Sequence, residues 1–337
     1  MSVAEVREFA ETSIEEIDVE AVPRCDLCGG ASREPFAGGR DFELRTCRNE
    51  WTFVRCRSCG HVWLDPRPSI DSLSTIYPRS YYAYSYEAIP WIARTGKAML
   101  DRRKIGAIVR EVSRPVESYV DIGCGTGRYL RVMAARGTPR SAIHGLELDA
   151  ATVAQLRREG FRAHHARVET CDQIPANSID LATMFHVIEH VASPAVVLDR
   201  IANWLVPGGI LALETPNIES FDARRFRDRW WGGYHFPRHW HLFSAETLQD
   251  LLRRHGFEPF AVRYQTGHSF WMYSLHHRLR YGSGGHPGLA RWFDPMKSVI
   301  PLAGFTAFDL ARAAAGARTS AMLILARRIR ARGGKLA

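Results

Sequence analysis

The sequence predicts an α/β protein: a mostly parallel sheet covered by helices on both faces, preceded by a small cysteine-cornered module. Three observations carry this. Strand-like and helix-like segments alternate from about residue 117 to 265, the rhythm of a parallel sheet whose crossovers are helices. A glycine-rich turn, "DIGCGTG" (121–127), joins the first of those strands to the first of those helices. Two cysteine pairs, "CDLC" and "CRSC", stand near the start.

Length and composition set the outer limits. With 337 residues and 46% hydrophobic side chains the chain can bury a sizeable core, which excludes disorder as the default. Lys and Arg exceed Asp and Glu by nine. That excess suits an anionic substrate, a nucleic acid or a membrane surface, and also occurs on solvated surfaces with no partner. No internal repeat is visible.

Residues 1–20 are acidic and lack a long apolar run, so they read as a flexible tail, no signal peptide is expected, and the expected location is cytoplasmic. Residues 21–66 hold Cys25, Cys28, Cys56 and Cys59, two C-x-x-C pairs separated by a 27-residue loop. Such pairs place four thiolates at the corners of a tetrahedron, a set that selects zinc over magnesium or calcium. Full ligation by cysteine makes the predicted zinc ribbon structural rather than catalytic. Gly29, Gly30 and Gly60 follow the pairs and permit tight turns, whereas Cys47 and His61 are spare groups and not expected as ligands.

Residues 67–112 form a helical, aromatic linker containing "IYPRSYYAYSY". The core spans 113–265. Within it "ESYVDIGCGTGRYLRVMAARG" (117–137) reads as a buried strand, a turn and a helix. Glycines at 123, 125 and 127 let backbone approach a ligand, and the helix N-terminus that follows favours negative charge. A dinucleotide fingerprint needs a glycine at 128, where Arg128 stands. Next, "AIHGLELDA" (142–150) places Glu147 at the end of a second strand, twenty residues after Gly127, where a carboxylate can accept hydrogen bonds from both ribose hydroxyls. Strands at 178–185, 208–217 and 259–265 alternate with helices at 193–205 and 244–257. The second of those helices carries a Ser244 cap, a Phe243–Leu248 staple and a terminating Gly256. Residues 266–317 look helical and inserted; their apolar tract at 298–317 is interrupted by Asp309 and Arg312, so it reads as an amphipathic helix that packs on the protein or touches a membrane. Residues 318–337 supply a last strand and a basic tail.

Taken together, "VDIGCGTG", "GLELD", "SIDLATMFHVIEHV", "WLVPGGILALETPN" and "PRHWHLFSAETL" resemble class I S-adenosylmethionine-dependent methyltransferases. The similarity is strongest to the branch holding ubiquinone-pathway O-methyltransferases and ribbon-bearing enzymes of glycan and natural-product pathways, and it covers about 21–265 plus the last strand. It implies a Rossmann-like, seven-stranded sheet whose last strand, about 319–327, runs antiparallel. It also implies that Asp121, Gly123, Gly125 and Gly127 hold the methionyl part of S-adenosylmethionine, with Glu147 on its ribose. The tyrosine-rich segment would cover the cofactor, Tyr81 or Tyr82 touching the sulfonium. Glu169 and Asp172 are the acids available near the adenine.

The stretch "FHVIEHV" (185–191) contains His-x-x-Glu-His, a zinc-protease spacing. That reading needs a helix, and Pro194 and the strand before His186 argue against one. His186 instead ends the fourth strand, at the rim where open α/β sheets bind ligands. Three readings stay open: His186, Glu189, His190 and His241 hold a second divalent metal; a histidine, foremost His186, is a general base; or the groups tie the loop down. Similar clusters occur in the resembled ubiquinone and small-RNA methyltransferases, usually with glutamate at the position of His186. Imidazoles at this rim favour a hydroxyl acceptor, whose proton is hard to remove near neutral pH, with activated carbon as the lesser option. In "RRFRDRWWGGYHFPRHWHLF" (224–243) arginines and tryptophans either grip an anionic or sugar-like substrate or fill the gap between cap and sheet. The expected acceptor is thus a small molecule or glycan, anionic or lipid-linked, with peripheral membrane contact in the second case. An RNA methyltransferase and a non-catalytic cofactor-binding module are the alternatives, nucleic acid being the less favoured partner.

Overall fold

The computed structural model describes residues 14–78, 91–295 and 297–329, with the backbone alone over 91–97. The N-terminal module comprises β1 (Val19–Glu20), β2 (Arg33–Gly39), β3 (Trp51–Cys56), β4 (Val62–Leu64) and β5 (Arg67–Pro68). β1 pairs antiparallel with β5, Glu20 pairs with Arg67 at 2.6 Å, and Val22 N–H donates to Asp65. The end of the acidic tail is therefore pinned rather than loose. The turn between β2 and β3 is held by Asp41, whose carboxylate accepts from Leu44 N, Thr46 N and Thr46 Oγ1.

A short helix α1 (Leu73–Ile76) and a longer α2 (Trp91–Val109) lead to the main sheet. Its elements run β6 (Tyr119–Ile122), α3 (Arg128–Ala135), β7 (Ile143–Glu147), α4 (Ala150–Arg158), β8 (Arg162–His165), β9 (Ile179–Phe185), α5 (Pro194–Trp204) and β10 (Leu205–Pro216). Then come α6 (Phe221–Arg225), β11 (His241–Leu242), α7 (Ala245–Arg254) and β12 (Phe257–Gln265). The insertion holds α8 (His268–Tyr281), α9 (Pro287–Ala290) and α10 (Val299–Ala314), and β13 (Ala321–Arg328) closes the fold.

The seven strands are ordered β12-β13-β10-β9-β6-β7-β8. β8, β7, β6, β9 and β10 are mutually parallel, and β13 runs antiparallel to both of its neighbours. This is the sheet that the resemblance implies. The central strands are apolar and buried on both sides, as a doubly covered parallel sheet requires. One layer of core gathers Ile179, Met184, Leu198, Ile201, Leu248 and Leu252, and the opposite layer Ile105, Leu130, Met133, Leu156 and Leu323. The helices start where their caps stand: Asp149 accepts from Thr152 N, Ser193 precedes Pro194, and Ser244 with Thr247 forms a reciprocal capping box.

One strand crosses the expected module boundary. β11, from the polypeptide between β10 and α7, pairs antiparallel with β4, His241 opposite Trp63 and Leu242 opposite Val62. The ribbon's sheet thus has the order β11-β4-β3-β2 and is completed by the core. A shared cluster of Trp51, Phe53, Leu64, Trp231, Tyr234, Phe236 and Trp240 seals the two together. Among the described residues no helix is long and apolar enough to cross a membrane.

Candidate active site

The glycine turn leaves β6 beneath the C-terminal edge of the sheet. Gly123, Gly125 and Gly127 all have positive φ, at 70°, 49° and 79°, a region open to glycine at little cost. They differ in what surrounds them. A Cβ on Gly123 would lie 2.4 Å from Val187, and one on Gly127 2.4 Å from Leu156, whereas one on Gly125 would meet nothing within 4 Å. Gly123 and Gly127 are therefore glycine for packing as well as for backbone, and Gly125 alone leaves its Cα face open.

Glu147 stands at the end of β7, directly beside this turn. Its Oε2 accepts from Gly125 N (2.8 Å) and its Oε1 from Leu148 N (2.6 Å). Asp121, 2% exposed at the end of β6, accepts from Thr183 Oγ1 at 2.7 Å through one oxygen. Its other oxygen, Oδ2, has no hydrogen-bond partner among the described residues. Burial pushes the Asp121 carboxyl up to about 7, against the Thr183 hydrogen bond and the nearby Arg128 and Lys104 charges. A buried carboxylate oxygen left without a partner beside the glycine turn calls for a polar group to satisfy it. S-adenosylmethionine, with an ammonium group and a ribose diol, fits that set of donors and acceptors. Tyr81 and Tyr82 lie outside the described residues. Glu169 is committed to Arg167 (2.9 Å) and Ala192 N (3.0 Å), and Asp172 is exposed.

The His-x-x-Glu-His stretch follows β9 as a single 3-10 turn, not a long helix. His186 is held at φ 55° and its ring is gripped at both nitrogens, Nδ1 by Glu189 (3.2 Å) and Nε2 by Glu214 (3.3 Å). Burial lowers the His186 pKa, but the hydrogen bonds and charges of those two carboxylates outweigh it and raise the value to about 9. The two carboxylates on either side thus favour the protonated ring over the neutral one. Lys104 of α2 pairs with Glu214 as well and lies 3.9 Å over the Phe185 ring. Glu214 is itself held down to about 2; burial opposes this, and Lys104 and His186 prevail.

His190 behaves in the opposite way. Its Nδ1 lies 2.9 Å from the Arg238 carbonyl and 3.0 Å from the Tyr77 hydroxyl, so the proton sits on Nδ1 and the lone pair on Nε2. Burial pushes His190 down to about 4, despite Glu189. His239 repeats the pattern: Nδ1 donates to the Gly233 carbonyl at 2.7 Å, and burial holds the ring well below its ordinary value. The two rings meet edge to face at 4.6 Å. Glu189, fully buried and hydrogen-bonded by Thr215, completes the group: one ligand atom each from Glu189, His190 and His239 lie within 4.8 Å of one another.

His241 is not brought to this group. It points into the ribbon instead, with Nδ1 3.1 Å from His61 Nε2 and its ring stacked on that of His61. "PRHWHLF" offers two histidines, and only the pairing of β11 with β4 decides which one faces the rim. Tyr77 was legible as one of a tyrosine run, but nothing local ties it to His190. Arg238 is likewise silent in sequence. Fully buried, it donates to Asp41 at 3.0 and 2.9 Å, to the Ile76 carbonyl at 2.8 Å and to Phe236 O at 3.0 Å. Trp231, Tyr234 and Trp240 are buried as well, so these parts of the aromatic segment fill the gap between cap and sheet rather than facing a substrate.

In the ribbon, Cys25 and Cys59 have sulfurs 3.5 Å apart, as do Cys28 and Cys56, and all four fall within 4.8 Å. These separations are far too long for disulfides. A tetrahedral zinc with Zn–S bonds of about 2.3 Å sets its sulfurs about 3.8 Å apart, so the four residues fit the ion. Both knuckles close alike, Gly29 N–H on Cys25 O and Gly60 N–H on Cys56 O, each glycine at positive φ. Cys47 and His61 stand outside the cluster.

Comparison with known proteins gives one family. A methyltransferase-domain model matches residues 85–262. A ubiquinone biosynthesis O-methyltransferase of Psychrobacter arcticus is 34% identical over 106 residues, 30% of this chain and 41% of that protein. A trans-aconitate 2-methyltransferase of Acidovorax ebreus is 29% identical over 205 residues, 57% of this chain and 76% of that one. The chain thus spans about two-fifths of the length of the first of these relatives. A solved 1,6-didemethyltoxoflavin-N1-methyltransferase of Burkholderia thailandensis superposes with a TM-score of 0.46 at 16% identity, over 83% of this chain and 96% of that one.

Proposed function

This chain belongs to the methyltransferase-domain family as a class I S-adenosylmethionine-dependent enzyme, and on that premise we propose that it methylates a hydroxyl oxygen of a small-molecule or glycan-type acceptor. One observation carries the reading. The glycine turn and the histidine turn touch, Gly123 against Val187, which supports reading the turn that carries Glu189 and His190 as a neighbour of the cofactor cradle.

When bound, the cofactor supplies a methyl group on a sulfonium, already a strong leaving group. The chain's residues have the rest to do. Glu147 grips the ribose diol, its present contacts to backbone N–H groups being exchanged for hydroxyls. Asp121 Oδ2 and the open face of Gly125 receive the methionyl end. His190 and His239, each with the proton on Nδ1, keep Nε2 lone pairs that would position an acceptor hydroxyl and draw on its proton. His186, charged between two carboxylates, fixes the turn that carries Glu189 and His190.

Glu189, His190 and His239 would also hold a divalent cation: two neutral imidazoles and a carboxylate form a common ligand set, and each Nδ1–H is already directed to a carbonyl. Such an ion would lower the pKa of a coordinated hydroxyl. Cys25, Cys28, Cys56 and Cys59 would hold a structural zinc.

The test uses labelled S-adenosylmethionine with pools of nucleotide sugars, lipid-linked glycans, polyketides and RNA, with and without chelator. Glu147→Ala is expected to weaken S-adenosylhomocysteine binding by about tenfold or more, the loss of two charge-assisted hydrogen bonds. His190→Ala and His239→Ala are expected to cut turnover while cofactor affinity stays within about twofold. Unchanged binding in Glu147→Ala would remove the cradle, and full turnover of a metal-free sample would remove the cation.

A further inference from the structure

The insertion between β12 and β13 ends in a helix that is built inside out. α10 has two charged residues, and both serve the interior. Asp309 is fully buried, accepting from Gly267 N (2.9 Å), Trp271 Nε1 (3.2 Å) and Ser320 Oγ (3.2 Å), and Arg312 leans on it at 3.3 Å. The inner face is anchored by Phe305, stacked on Trp271 at 5.4 Å.

The outer face carries no charge at all. Val299 is 73% exposed, Ile300 80% and Leu310 57%, and along the same helix Ala303, Gly304, Ala307 and Ala311 are exposed too. From Val299 to Ala311, at about 1.5 Å per residue, this apolar strip is about 18 Å long. In the turn that precedes the helix in sequence, Trp292 is 64% exposed and Leu289 52%. Soluble helices put apolar residues inward and charges outward; a contiguous reversal marks a surface with a partner.

The charges around the strip name that partner. Among the described residues of 266–317, every exposed charged residue is cationic: Arg278, Arg291 and Lys297. Arg291 flanks Trp292, and Lys297, its side chain 82% exposed, stands two residues before Val299. The nearest acid, Asp294, is half-buried and lies 3.8 Å from Lys297. Apolar side chains with an interfacial tryptophan and a cationic border match a bilayer with anionic headgroups, where the strip sinks into the acyl boundary and the cations stay at headgroup level.

We propose that α10 and the Leu289–Trp292 turn dock this protein on the surface of an anionic membrane, lying on it rather than spanning it. This is independent of the acceptor and of the methyl-transfer reading, because its test needs neither.

The full chain is floated with vesicles of phosphatidylcholine alone, and of phosphatidylcholine with phosphatidylglycerol at about three to one. Binding is expected to the anionic vesicles, weakening as salt is raised. Val299→Asp combined with Ile300→Asp is expected to cut the bound fraction by about tenfold, with melting temperature unchanged because both side chains stand in solvent. Arg291→Glu with Lys297→Glu is expected to abolish the preference for anionic vesicles. Absence of binding at low salt, or binding that survives the paired aspartates, overturns the proposal. So does light scattering that shows a dimer dissolved by the same aspartates, which would assign the face to a second copy of the chain.

Discussion

Arg238 shows how one residue serves two regions of the molecule. Its side chain is saturated by Asp41, Ile76 and Phe236, while its own carbonyl accepts the His190 proton. Asp41 is 197 positions away in sequence, so no local pattern could announce the pair. Burial alone would raise the Asp41 pKa, but the Arg238 guanidinium holds it down to about 2. Asp41→Asn leaves a buried guanidinium without its counter-charge, and urea unfolding is expected to show a loss of about 3–5 kcal/mol. Turnover is expected to fall with it, since the carbonyl that sets the His190 tautomer moves. The contrast with Glu147 and the glycines is instructive. Those residues were legible because strand, turn and acid follow within about thirty positions; His239 was not, because choosing it over His241 requires knowing where the chain makes a distant β-pair.

Elements divide in the same way. Strands β6, β7, β9 and β10 announce themselves by apolar runs, and α7 by its cap, staple and terminating glycine. β11 is two residues long and has no periodicity of its own; it exists because the ribbon's β4 offers an unpaired edge. This packs the ribbon against the segment that follows the histidine turn, with Arg67 donating to Ala192 O and lying 4.7 Å over Trp240. Metal analysis of the purified chain is expected to give about one zinc in the ribbon. Cys28→Ser is expected to lower both the melting temperature and turnover, whereas a ribbon that was only an appendage would leave turnover intact. The inverted exposure of α10 was half legible: the apolar tract showed in sequence, but the inward turn of Asp309 did not.

At the scale of the whole molecule, buried histidines are expected to contribute to the response to acid. Burial holds His144 down to about 4, lowers His164 against the Gln173 hydrogen bond, and holds His277 well below its ordinary value. All three are neutral in the fold and free to protonate when unfolded, near about pH 6.5. The unfolded chain then binds more protons, so the stability these residues contribute is present above that pH and is lost as pH falls toward about 4. Thermal melts are expected to show a steep acid limb over that range, made shallower by His144→Gln with His164→Gln. The pairing of β11 with β4 has a last implication. A catalytic domain cut free of its N-terminal module would bare a raw edge lined by Trp240 and Leu242, and a ribbon transplanted from another protein would have to recognise a foreign strand. The two pieces are interlocked, and exchange between such proteins succeeds only when both halves of the seam travel together.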